Sequence, residues 1–181
     1  MKLRAVLAVA LAAGLVAPLA RRAQNMASEN RAASPPHERE QAPWFGVWQL
    51  DQPAPTSRFE QRPYKKVTST IEPWQDGLKV SYDMVRTRGG ITHMEWTGRF
   101  DGRDYPVAGI DYFLTNAYRR IDDRSYEIVI KVDGRVAANA IAVVSPDGAT
   151  LMVTTIEKDA AGQTVKTTAI YRKQQTPKQS G

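Results

Sequence analysis

Two adjacent arginines, Arg119 and Arg120, sit inside a run that otherwise alternates like a β-strand. Alternation sends neighbouring side chains to opposite faces, so one of the two must point inward unless a bulge intervenes. Leu114, Asn116, Tyr118 and Arg120 share one row. If that row is internal, Arg120 presents a guanidinium suited to a carboxylate ligand. If Arg120 stands near a rim, it reaches water instead.

The other reactive side chains offer less. His93 is the one histidine of the β-patterned region, since His37 falls in a polar leader, and the chain contains 0 cysteines. A single imidazole without thiolates gives no zinc-ligand spacing. Nothing marks a nucleophile elbow or an activated serine, so no catalytic residue is assigned. Asp101, Asp104 and Asp111 surround Tyr105-Pro106 and could offer oxygens to Ca²⁺. Their spacing matches no known calcium loop, and aspartate is already expected in turns. No metal and no cofactor are expected. Trp44, Trp48, Trp74 and Trp96 could stack on a ring-shaped ligand. Trp48 and Trp96 fit a core better, while Trp44 and Trp74 stand near strand ends.

The elements that must position these groups are short strands. Asp76-Gly77, Asp101-Gly102, Asp133-Gly134 and Asp147-Gly148 punctuate the chain, with Gly89-Gly90 and Ala161-Gly162 where further turns are due. Asp-Gly supplies the positive-φ conformations of tight and bulged hairpin turns. Alternation between them predicts strands over Trp44–Leu50, Lys66–Glu72, Leu78–Arg86, Ile91–Phe100, Tyr112–Ile121, Tyr126–Val132, Arg135–Val144, Thr150–Lys158 and Thr164–Arg172. Asp51–Pro63 and Asp104–Asp111 read as irregular. Strands in this order, with no crossover helix, predict an all-β fold: an antiparallel up-and-down barrel of eight to ten strands.

The hairpin at Gly89-Gly90 fixes which side faces in, because a one-residue slip exchanges the faces. One register groups Tyr82 and Met84 with His93, Glu95, Thr97 and Arg99. The other groups Leu78, Val80, Tyr82 and Met84 with Met94, Trp96, Gly98 and Phe100, leaving the charges together outside. Burying several unpaired charges costs roughly 2 kcal/mol or more each, which selects the second register. At Asp133-Gly134 the same logic turns Tyr126, Ile128, Ile130 and Val132 inward, opposite Val136, Ala138, Ala140, Ala142 and Val144. Small residues facing large ones either interdigitate into a dry core or leave room for a ligand.

The ends of the chain are of a different kind. Lys2 and Arg4 precede an apolar stretch from Ala5 to Ala20, about 16 residues, short for a membrane span and right for a signal-peptide core. Residues 1–20 are therefore expected to be a signal peptide, or an uncleaved anchor, because Pro18 and Arg21-Arg22 suit a cleavage site poorly. Either way the domain lies outside the cytoplasm, secreted or periplasmic, touching membrane only through that segment. Residues 21–43 form a polar tether, residues 44–173 the barrel and residues 174–181 a flexible tail. The net charge of +6 falls to about +4 without Lys2 and Arg4, and the basic residues are scattered among acidic ones. That pattern lacks the concentrated basic face of a nucleic-acid site.

Phe45-Gly46-Val47-Trp48-Gln49-Leu50, Asp76-Gly77-Leu78-Lys79-Val80, Tyr105-Pro106-Val107-Ala108-Gly109, Arg119-Arg120-Ile121-Asp122 and Val144-Ser145-Pro146-Asp147-Gly148 occur in that order. The chain resembles a group of small secreted bacterial lipocalin-like proteins over nearly all of residues 43–173. Gly46-x-Trp48 also resembles the first-strand signature of lipocalins, although their disulfides and carboxyl-terminal helix are missing. The resemblance implies a calycin-type barrel, a Trp48 packed across its closed end beneath an arginine, here Arg172, and binding of an apolar ligand. It brings no catalytic residues. The expected function is binding of a small, largely apolar ligand, with an acidic head group if Arg120 faces inward, by Tyr82, Met84, Met94, Trp96, Phe100, Tyr118 and Arg120. Two rivals remain open: an isomerase or cyclase using the barrel as a chamber, and a filled-barrel cell-envelope protein working through its outer face.

Overall fold

The computed structural model describes residues 42–51 and 64–175, and alternation becomes sheet almost throughout. Ten strands follow in chain order: β1 (Gly46–Leu50), β2 (Tyr64–Trp74), β3 (Gly77–Arg86), β4 (Ile91–Arg99), β5 (Tyr105–Ala108), β6 (Leu114–Arg120), β7 (Ser125–Val132), β8 (Arg135–Val144), β9 (Thr150–Lys158) and β10 (Thr164–Lys173). Each pairs antiparallel with the next, and β1 pairs with β10, closing an up-and-down barrel. No helix occurs among the described residues. The expected signal segment, most of the tether and tail, and residues 52–63 lie outside the described residues.

β5 is the strand that the alternation missed, lying inside the stretch read as irregular. It is four residues long, contains Pro106, and pairs through two residues each with β4 and β6. So short a strand, with one residue unable to donate, leaves little periodic signal.

The β3–β4 hairpin has the register chosen on electrostatic grounds: Leu78 lies opposite Gly98, Val80 opposite Trp96 and Tyr82 opposite Met94. Outside, Lys79 Nζ lies 2.7 Å from Glu95 and His93 Nδ1 lies 2.8 Å from Asp83. His93 and Arg99 are exposed, and Glu95 is half-buried beside its lysine. Gly98 has a steric reason to be glycine. A Cβ there would lie 2.4 Å from Trp96 Cζ2 and 2.8 Å from Tyr105 Cδ2, so the missing side chain makes room for both rings.

At the β7–β8 hairpin the inward row is right with one exception. Ile130 faces Ala138, yet Lys131 faces Val136, so Ala137 is an extra residue that bulges β8. The bulge turns Val136 outward, where it is 58% exposed.

The barrel end where β1 begins is plugged. Trp48 is fully buried, and its Nε1–H donates to the Trp44 carbonyl at 2.8 Å. Trp44 packs against Phe100 and Tyr126 at centroid distances of 5.7 and 5.6 Å. The cation over Trp48 is Lys173, with Nζ 5.1 Å from the ring centroid, and not Arg172. Parity explains the correction. Tyr171 faces inward opposite Leu50, so Lys173 does too, and Arg172 points outward to Asp51 and Thr150.

Candidate functional site

Beyond the plug, a cavity of about 90 Å³ remains inside the barrel. It lies toward the end where β1 finishes, between the inner rows of β3, β4 and β5 to β10. Tyr82, Trp96, Tyr118 and Tyr171 supply aromatic walls, and Met94, Leu114, Ile128, Ile130 and Val153 supply aliphatic ones. Ala138 and Ala140 are the small residues that leave the space open. The polar groups among the wall residues include Asn116 and Thr155, with Glu95 at the edge and its carboxylate held outward by Lys79.

Trp96 is the best-fixed part of this wall. It stacks on Tyr118 at 3.9 Å, meets Tyr105 edge-on at 6.0 Å, and donates its Nε1–H to the Asn116 carbonyl at 3.2 Å. Tyr118 in turn lies against Tyr126, with centroids 5.4 Å apart, so an aromatic column joins the cavity to the plug. Burial raises the pKa of Tyr82, Tyr118, Tyr126 and Tyr171 above the ordinary tyrosine value. For Tyr118 and Tyr171 the neighbouring phenols Tyr82 and Tyr126 add to the effect, because two phenolates would repel. All four therefore stay neutral at physiological pH.

Of the residues singled out from the sequence, Tyr82, Met94, Trp96 and Tyr118 come together around the cavity. Met84 faces inward and is buried in the core, away from the cavity wall. Phe100 belongs to the plug, 5.7 Å from Trp44 and 5.9 Å from Tyr126. Arg120 also stands at the plugged end. Its guanidinium covers Trp44 at 5.4 Å, donates through Nη2 to Asp123 at 2.7 Å and through Nε to the Asp122 carbonyl at 3.1 Å. Arg120 follows the inward row, as alternation requires, but at the last residue of β6, so it closes the rim instead of entering the cavity.

Tyr171, Thr155 and Glu157, which alternation alone does not single out, also turn inward. The row Leu151, Val153, Thr155, Glu157 on β9 alternates inward from apolar to polar, and that change of character was the available signal. Glu157 is 7% exposed, lies between Ala138 and Val165, and its Oε2 has no hydrogen-bond partner. Burial pushes its carboxyl above the ordinary glutamate value.

At the cavity end, the connection from β5 to β6 crosses close to β4. Gly109 makes this possible: its φ is +89°, and a Cβ would lie 2.2 Å from the His93 carbonyl oxygen. The same connection carries Tyr112, pushed up to about 12 by burial, with the Asp111 charge and the nearby Tyr64 adding to the effect. The aspartates near Tyr105 are engaged with protein groups. Asp101 accepts from the Tyr105 hydroxyl at 2.9 Å, and Asp104 holds Lys131 at 2.7 Å. Among the described residues no group of three or more histidines, aspartates or glutamates converges as a metal site. Neither a family model nor a curated protein matches the sequence.

Proposed function

We propose that the chain is an exported, lipocalin-like barrel that binds a small, largely apolar molecule in the cavity beside Trp96. The carrying observation is an interior space lined by aromatic and aliphatic side chains with few polar groups, the usual character of a small-molecule site. Its volume limits the ligand. An engineered apolar cavity of about 150 Å³ takes benzene, so this one encloses a short chain or most of one ring, not a fatty-acid tail. The position of Arg120 at the plugged rim removes the reason for an acidic head group.

Benzyl alcohol, a neutral single-ring probe, should shift the Trp96 indole N–H resonance saturably. Filling the space with Ala140→Leu should abolish that shift while the folded spectrum persists. No saturable shift, or the same shift in Ala140→Leu, would defeat the cavity reading. One observation favours the filled-barrel alternative: Ile141, Met152, Ile156 and Ile170 stand exposed on β8, β9 and β10, an apolar stripe on the outer face. A failed cavity test moves the functional surface there.

Export rests on the basic start and apolar stretch of residues 1–20. Intact mass of the protein recovered from its own host should correspond to a chain beginning after Ala20. A full-length mass in a cytoplasmic fraction would refute export.

A further inference from the structure

We infer that the cavity selects a small molecule carrying a primary or secondary ammonium, its N–H groups received by Glu157 and Asn116 and its apolar body lying against Trp96. This rests on the cavity being a ligand site, and it adds the chemical class of the ligand.

The polar interior is rich in acceptors. Asn116 Oδ1 and Glu157 Oε2 are both buried without a hydrogen-bond partner. Buried acceptors left unpaired are unfavourable, so the two mark places where a donor belongs. Among the described residues, no lysine, arginine or histidine borders the cavity. The cations that might have reached it are engaged elsewhere: Arg120 with Asp123, Lys131 with Asp104, and Lys173 with Trp48 and the Pro43 carbonyl.

Geometry sets the orientation. Thr155 lines the cavity and Glu157 is the next inward residue on β9, roughly 7 Å further from the plug along the strand. Ala138, opposite Glu157 on β8, is itself a wall residue. A ligand entering with its apolar end first would leave its head group level with the carboxyl. The wall is also rich in aromatic rings, and wherever a ring turns its face to the ligand its negative quadrupole favours a cation over an anion. A carboxylate ligand would meet the opposite: a buried acid, aromatic faces and no counter-charge. A plain hydrocarbon would leave both acceptors unpaired. An alcohol could bond to them, but it would not offset the buried charge.

Benzylamine, benzyl alcohol and benzoate share one ring and differ in the head group. Titration calorimetry of the full chain at neutral pH should find benzylamine at least tenfold tighter than benzyl alcohol, and benzoate without saturable binding. The overall charge of +6 favours benzoate non-specifically, so a preference for the amine must come from the site. Glu157→Gln should collapse the amine-to-alcohol ratio toward one. Glu127→Gln, which removes an outward carboxylate on β7, should leave that ratio as it is. An amine no tighter than the alcohol, or a ratio unchanged by Glu157→Gln, overturns the inference while alcohol binding keeps the cavity reading intact. If none of the three probes binds, the cavity reading fails and the inference falls with it.

Discussion

Trp96→Ala is expected to lower the unfolding free energy by about 3–5 kcal/mol, the range for removing a large packed aromatic. The side chain is 2% exposed, stacked on Tyr118, edge-on to Tyr105 and hydrogen-bonded to the Asn116 carbonyl. Its loss would also merge the new void with the existing cavity of about 90 Å³. Damage from such substitutions grows with the void that remains, which places the effect toward the upper end. His93→Ala, on the opposite face of the same strand, should change stability by less than about 0.5 kcal/mol, because its partner Asp83 is solvent-exposed. Urea unfolding of both variants makes the comparison. A loss below about 1 kcal/mol for Trp96→Ala would mean that the ring is not packed as described.

Trp48→Ala should be of the same order, about 3–5 kcal/mol, through a different mechanism. Trp48 holds the plug from below: it is fully buried and donates to the Trp44 carbonyl, fixing the turn that precedes β1. Removing it releases Trp44 from its place among Phe100 and Tyr126. Lys173→Ala provides the contrast. A cation over an indole contributes about 0.5–1 kcal/mol at exposed sites and about 2 or more when desolvated, so this variant should lose less than Trp48→Ala loses. The two are read by the same denaturant titration. A Lys173 effect equal to that of Trp48 would show that the cation, not the ring, anchors this end.

The hairpin order and the face assignment of β3 and β4 were legible in the sequence because two strong signals agreed there. Asp-Gly and Gly-Gly pairs marked the turns, and only one register kept His93, Glu95 and Arg99 out of the core. Legibility failed where one residue changes the answer. The bulge at Ala137 cannot be seen in a row of valines and alanines, and without it alternation places Val136 inward. Arg172 and Lys173 are both cations, and only the pairing of Tyr171 with Leu50 tells which of them shares a face with Trp48. For Arg120, alternation gave the correct face and said nothing of height along the barrel. Height is what separates a cavity ligand from a rim contact with Asp123. Glu157 escaped notice for the opposite reason: a glutamate near a strand end reads as solvated until the neighbouring strands are seen to enclose it.

The pairing of β1 with β10 has a kinetic consequence. Residues 48–50 meet residues 171–173, so the contact that seals the sheet spans the longest separation of any strand pairing among the described residues. Long-range closure of this kind is slow because the intervening chain must be ordered first. Until β10 docks, β1 and β9 each present an open edge of unpaired amides and carbonyls, the arrangement most prone to joining another chain. The apolar outer residues of β9 and β10, Met152, Ile156 and Ile170, would lie beside those edges during the wait. The interval before closure, more than the finished barrel, is when this protein is exposed to self-association. A chain cut before Thr164 would remain in that state permanently.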